Sequence, residues 1–149
     1  MTRLPLLLLL EGSTFVAASL AHRGVLVSGY EHDRAAIAET VIAVVLLAGA
    51  ALAQTRPRRA RATALAAQGF ALLGTCVGLF TIAIGVGPRT APDLAYHAGI
   101  VAALVAGIVA ASKTRRDAAD RNAAAMGRRA EGEVQAGAPA RGLRTTSRP

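Results

Sequence analysis

A carboxyl group set in an oily run is the first residue of this chain that could do chemistry. Glu11 follows the seven residues Leu4 to Leu10 and precedes the apolar stretch Phe15 to Ala21. It stands eight residues past Arg3, which at a helical rise is ~12 Å into a hydrocarbon layer. An ionisable residue there costs ~2.5 to 3.5 kcal/mol on insertion scales, and a membrane carboxyl can bind and release a proton or a cation. The structural alternative is a hydrogen bond to Gln68, which enters from the same side in a later apolar run and reaches a similar depth. A second group of reactive types gathers elsewhere. His22, His32 and His97, with Glu39, fall near one end of the apolar runs, where Glu31, Asp33 and Asp93 also lie. Imidazole and carboxylate suit zinc, copper or iron, and the same groups exchange protons at a quinone or hold haem. No HxxxH, HxH or HExxH spacing occurs. Metal, haem, quinone and a plain interfacial hydrogen-bond network therefore all stay open. Glu31 and Asp33 suit the start of a helix, with Asp33 as its cap. The single cysteine, Cys76, excludes an internal disulfide and a multi-cysteine metal site, and its apolar surroundings make it a small packing residue. No Walker loop, GxSxG elbow or GxGxxG pattern is present, so a catalytic site of the soluble-enzyme kind has no foothold and a non-enzymatic role is expected.

The elements that must position these residues are apolar helices. Of 149 residues 53% are hydrophobic, only 3% aromatic with no Trp, and 17% charged, too apolar for an ordinary soluble domain. Four runs, at about residues 4–21, 35–53, 62–86 and 94–112, match the ~20 residues a transmembrane helix needs. Prolines and charges punctuate the gaps between them. The expected fold is all-α: a polytopic four-helix transmembrane bundle over residues 1–112, followed by a basic, mostly disordered cytosolic tail over 113–149. Arg3, the four arginines between Arg56 and Arg61, and Lys113, Arg115, Arg116 and Arg121 fall on one side, which places both termini in the cytoplasm of a cell whose plasma (inner) membrane the bundle spans. Tyr30 and Tyr96 then sit at the outer interface. A rival reading makes residues 1–21 a cleaved signal peptide; it leaves three spans and the same side for the C-terminus. In the tail, helix-spaced charges at Arg116 and Asp120 carry the fourth helix a turn or more onward, and from Gly127 no regular structure is expected. Without stacking aromatics the tail's charge reads as a solvated segment, not a nucleic-acid surface.

In lipid, helices associate through small residues that let backbones approach. Gly74 and Gly78 in the third run and the ladder Ala95, Gly99, Ala103, Gly107 and Ala111 in the fourth predict close packing of those two spans, or contact with another subunit or a second copy. The lipid bilayer is the one partner the composition requires.

The stretch Ala38-Glu39-Thr40-Val41-Ile42-Ala43-Val44-Val45-Leu46-Leu47-Ala48-Gly49, followed by an arginine-bearing loop and an Ala-rich span, resembles the DoxX-like family of small four-helix bacterial membrane proteins over about residues 4 to 112. The first span lacks that family's arginine. The resemblance implies a small membrane subunit tied to redox or quinone-linked systems, with a role for Glu39. Glu11 in a first helix is also similar to the small multidrug resistance transporters, where such a residue binds protons or cationic drugs. The absence of Trp departs from that family's aromatic cage, and Glu11 is the only residue it would assign.

Overall fold

A computed structural model describes residues 3–87 and 89–136. Four α-helices account for nearly all of it: α1 (Arg3–His22), α2 (Asp33–Thr55), α3 (Ala60–Ala83) and α4 (Ala91–Ala136), with a short 3-10 turn at Pro57–Arg59. All four contain a stretch long and apolar enough to cross a membrane, in α4 Ala91–Lys113. The all-α, multi-pass bundle expected from the hydrophobic runs is the fold observed.

The spanning stretches of the helices are apolar nearly all round, as membrane spans are. Their outward faces carry large hydrophobics, among them Leu10, Val44, Leu73 and Phe80, each more than half exposed. The inward faces instead combine small residues with the few polar ones. α1 buries Leu8, Glu11, Gly12, Phe15, Ser19 and His22 at helical spacing. Much of what α2 and α3 add to the core is alanine: Ala43, Ala50 and Ala53 on α2, and Ala60, Ala64, Ala67 and Ala71 on α3. At Gly49 a Cβ would come within 3.0 Å of Ala67, so backbone proximity there depends on its absence. Buried residues of α4 are Asp93, His97, Ile100, Leu104, Gly107 and Ala111.

α1 and α3 end at the same side of the bundle and by the same device. Gly24 and Gly85 both have positive φ (71° and 86°). The amides of Val25 and Val86 reach back to the carbonyls of Leu20 and Thr81, and those of Gly24 and Gly85 to Ala21 and Ile82. Each is a Schellman closure with glycine in the left-handed position. The third span therefore stops at Ala83, short of the expected residue 86, because Gly85 ends the helix where hydropathy continues through Val86. These two ends, with the starts of α2 and α4, form the histidine end of the bundle. The opposite, arginine end holds the 3-10 turn, with Pro57 at a position where its missing N–H costs no helical bond. There Arg61 Nε donates to the Ala111 carbonyl at 3.1 Å, fastening α3 to α4.

The chain divides into a unit of residues 1–114 and one of 115–149. In the second, α4 continues to Ala136, past Gly127, where the composition had predicted loss of regular structure. Alanine, arginine and glutamate have high helix propensity, and opposite charges at four-residue spacing add to it; a helix there needs no core. Residues 137–149 of the predicted tail lie outside the described residues.

Candidate functional site

The histidine end is organised by one imidazole. His22, in the last turn of α1, is buried and uses both ring nitrogens: Nδ1 lies 2.8 Å from Glu39 Oε2 of α2 and Nε2 lies 3.3 Å from Asp93 Oδ1 of α4. Three helices thus meet at one side chain. Glu39 and Asp93 are themselves 6% and 3% exposed, and a buried carboxylate needs such partners.

Asp93 also closes the start of α4. Its Oδ2 accepts from the Thr90 amide at 3.2 Å and from Thr90 Oγ1 at 2.5 Å, while its own amide donates to Thr90 Oγ1 at 3.4 Å. This reciprocal arrangement is a capping box. The Thr90 hydroxyl in turn hydrogen-bonds the Tyr30 hydroxyl, and the Tyr30 ring stacks on His22 at 5.7 Å. Tyr30 lies outside the spans, and desolvation, with Asp93 close by, pushes its phenol above the ordinary 10.0. Nearby, Ser19 Oγ donates to the Ala36 carbonyl at 3.0 Å and shares a 2.8 Å bond with Thr40, tying α1 to α2.

Two hollows flank this network. One, a half-enclosed cavity of about 230 Å3, is lined by Phe15, Ile42, Gly74, Gly78 and Val86 with Glu39, Thr75, His32, Tyr96 and His97. The other is a more open groove of about 480 Å3, lined by Thr14, Val27, Tyr30, His22, Asp93 and Tyr96. His97 Nδ1 lies 2.7 Å from the Asp93 backbone carbonyl; a carbonyl only accepts, so Nδ1 carries the hydrogen and Nε2 of the neutral ring presents a lone pair. The Tyr96 hydroxyl is buried and has no hydrogen-bond partner. The cavity can therefore offer an apolar ligand a carboxylate oxygen and an imidazole acceptor.

Glu11 and Gln68 meet as the sequence proposed. Gln68 Nε2 lies 3.0 Å from both Oε1 and Oε2 of Glu11, and Gln68 is fully buried. Both contacts come from the one amide nitrogen, which donates across the two carboxyl oxygens, while Gln68 Oε1 is buried without a hydrogen-bond partner. The pair abuts Gly107 so closely that a Cβ there would collide with Gln68 Nε2 and approach Glu11 Oε1 to 2.7 Å. Neither hollow is lined by Glu11 or Gln68.

Of the predicted histidine-end residues, His22 and Glu39 are in direct contact, His32 approaches His22 edge-on at 6.5 Å, and His97 joins His32 and Glu39 in the cavity wall. Among the described residues no three histidine, cysteine or acidic side chains converge as a metal site. The N-cap of α2 is His32, with no side-chain cap bond; Asp33 is the first helical residue, exposed, and acts through its charge at the helix start, not as the predicted cap. Cys76 is exposed, on the lipid-facing side and not packed within the bundle.

The packing residues divide. A Cβ on Gly74 would meet Ile42 at 2.8 Å and one on Gly78 would meet the His97 ring at 3.4 Å. Gly99, by contrast, has open space around it, and Ala95 and Ala103 are exposed. Residues four apart advance ~40° around a helix per step, so the ladder winds out of the seam and only Gly107 and Ala111 stay inside.

Two functional residues were missed by spacing arguments. Asp93 falls with the outer acids by sequence, and the Thr90-Ala91-Pro92-Asp93 capping-box pattern signals its place at a helix start but not its bond to His22. Tyr96 was read as an interface anchor, whereas it packs edge-to-face on Phe15 at 6.2 Å and lines both hollows. No protein-family model, curated protein or solved structure matches the chain.

Proposed function

We propose that this multi-pass protein is a small accessory subunit of a quinone-linked redox assembly in a bacterial plasma (inner) membrane, holding a small apolar ligand of the quinone class in the cavity at its histidine end. The observation that carries this reading is the 230 Å3 cavity, in which Glu39 and the His97 lone pair supply polar contacts within a mainly apolar wall that also includes His32, Arg34, Thr75 and Thr81. Pockets for apolar ligands have this composition, with a few placed polar groups fixing orientation. The DoxX-like resemblance around Glu39 has the same implication. The arginine-rich opposite end supports an orientation with both termini cytoplasmic, and α1, which supplies His22 and Glu11, is read as a retained span, not a cleaved leader.

The test is organic extraction and mass spectrometry of detergent-purified protein, with metal analysis and an absorption spectrum alongside. Stoichiometric quinone in the native chain, lost in Glu39→Ala/His97→Ala with helical circular dichroism intact, is the expected result. Extracts free of quinone, with no binding of added decylubiquinone, overturn it. A second reading, proton-coupled transport through Glu11, draws on the buried carboxyl–carboxamide pair. It ranks lower because Glu11 lines neither hollow, and it requires Glu11→Gln to abolish substrate movement in proteoliposomes without unfolding the bundle.

A further inference from the structure

His22 lines the groove and bonds Glu39, which lines the cavity, and the side chains leading from one hollow to the other form an unbroken series of groups able to donate and accept protons. Tyr30 and His22 line the groove, and Glu39 lines the cavity. Between them run Tyr30 to Thr90, Thr90 to Asp93 at 2.5 Å, Asp93 to His22 at 3.3 Å and His22 to Glu39 at 2.8 Å. The links come from the α1–α2 loop, the α3–α4 loop, α4, α1 and α2. Any buried imidazole has two ring nitrogens to satisfy; here both partners are acids, bonded through opposite nitrogens, the arrangement in which an imidazole can take a proton at one side and release another at the other.

We infer that Asp93, His22 and Glu39 are a proton relay between the groove and the cavity, with the Tyr30 and Thr90 hydroxyls at its outer end. In the inward direction the Asp93 O–H bond breaks as His22 Nε2–H forms, and Nδ1–H breaks as Glu39 Oε2–H forms. One proton moves, no electrons are exchanged, and His22 ends neutral with its hydrogen on the opposite nitrogen. Return of the tautomer, or reversal of the same steps, resets it. The titratable groups facing His22 are Glu39 from α2, Asp93 from α4, and Tyr30 and His32 from the α1–α2 segment; Arg23 is directed at Thr40, and His97 shares the cavity with Glu39. The relay stands whatever occupies the cavity.

Infrared spectroscopy of the full chain in lipid nanodiscs tests it, by following the carboxylic C=O band of Glu39, identified by its loss in Glu39→Gln, as H2O is exchanged for D2O. His22→Gln and Asp93→Asn are expected to slow its deuteration at least about tenfold, the lower range for loss of a positioned acid–base group. Asp33→Asn, which removes an exposed acid at the start of α2, leaves it unchanged. Millimolar imidazole added to His22→Gly is expected to restore the rate, which a merely structural histidine would not show; native-like circular dichroism in His22→Gln guards against misfolding. Exchange as fast in His22→Gln as in the native chain means Glu39 takes protons directly through the cavity and overturns the proposal. So does a Glu39 that shows no protonated band between pH 4 and 9.

Discussion

Glu11 and Glu39 are both acids on transmembrane helices, 3% and 6% exposed, yet their surroundings differ in kind. Glu11 meets one amide, in a space kept by the missing side chain of Gly107, and lines neither hollow. Glu39 belongs to a chain of hydrogen bonds that begins at a groove and ends in a cavity. Burial of a polar residue in a membrane bundle is a cost in both places. At Glu11 the cost is offset locally by one amide nitrogen, with the amide oxygen left unpartnered; at Glu39 it is offset by a network with two openings. Connectivity, more than depth, separates a packing device from a site where something can arrive.

The sharpest way to break this contrast is to fill the space under Glu11. Gly107→Leu is expected to cost about 3 kcal/mol or more, the upper range for overpacking, or to abolish folding, whereas Gly99→Leu on the same helix changes stability by less than about 0.5 kcal/mol. Denaturant unfolding in micelles followed by circular dichroism compares them; equal losses would contradict the placement of the two glycines. Next in size, Glu11→Leu and Gln68→Leu should each cost about 1 to 3 kcal/mol by stranding a buried partner. The double variant should cost clearly less than the two added together. Strict additivity would show that the pair is not a unit.

On the other side of the comparison the effects on stability shrink while those on ligand binding grow. Ser19→Ala, which removes the two Ser19 bonds between α1 and α2, is expected to cost about 1 to 2 kcal/mol in the same unfolding assay. Tyr96→Phe removes a buried hydroxyl that has no partner, so stability should stay within about 0.5 kcal/mol or rise, while affinity for decylubiquinone changes measurably; a large stability loss would mean the hydroxyl is bonded after all. The smallest effect is on pH dependence. Because the folded state holds the Tyr30 phenol above 10.0, its contribution is present at neutral pH and is lost as pH rises past the point where the unfolded phenol ionises. Tyr30→Phe should flatten the alkaline limb of the unfolding profile.

Hydropathy alone located the four helices, since a run of about 20 apolar residues has few other uses. It placed their ends less well: α3 stops at Ala83 and is closed by Gly85, whose positive φ is a local backbone matter that average hydropathy does not register. The Glu11–Gln68 pair was legible because depth along two helices follows from simple rise. The meeting of Glu39 with His22 was legible only as a zone, because which face of α1 turns toward α2 depends on packing that an all-apolar helix does not encode in its periodicity. Asp93 was hidden for a different reason. Its visible pattern is that of a helix start, and nothing in Thr90-Ala91-Pro92-Asp93 reveals that one carboxylate oxygen caps α4 while the other serves His22. The small-residue ladder misled at Gly99 because four-residue spacing and the helical repeat part company over several turns.

The distance along the chain between Glu11 and its amide also sets a schedule for biosynthesis. Gln68 is 57 residues downstream, and at translation rates of ~5 to 20 residues per second it emerges ~3 to 11 s after the carboxyl it will meet. During that interval the first helical hairpin has its acid in or near the bilayer with no amide to receive it. The N-terminal half is thus provisional until the C-terminal half is made. Gly107, the residue that gives the completed pair its room, arrives last of the three.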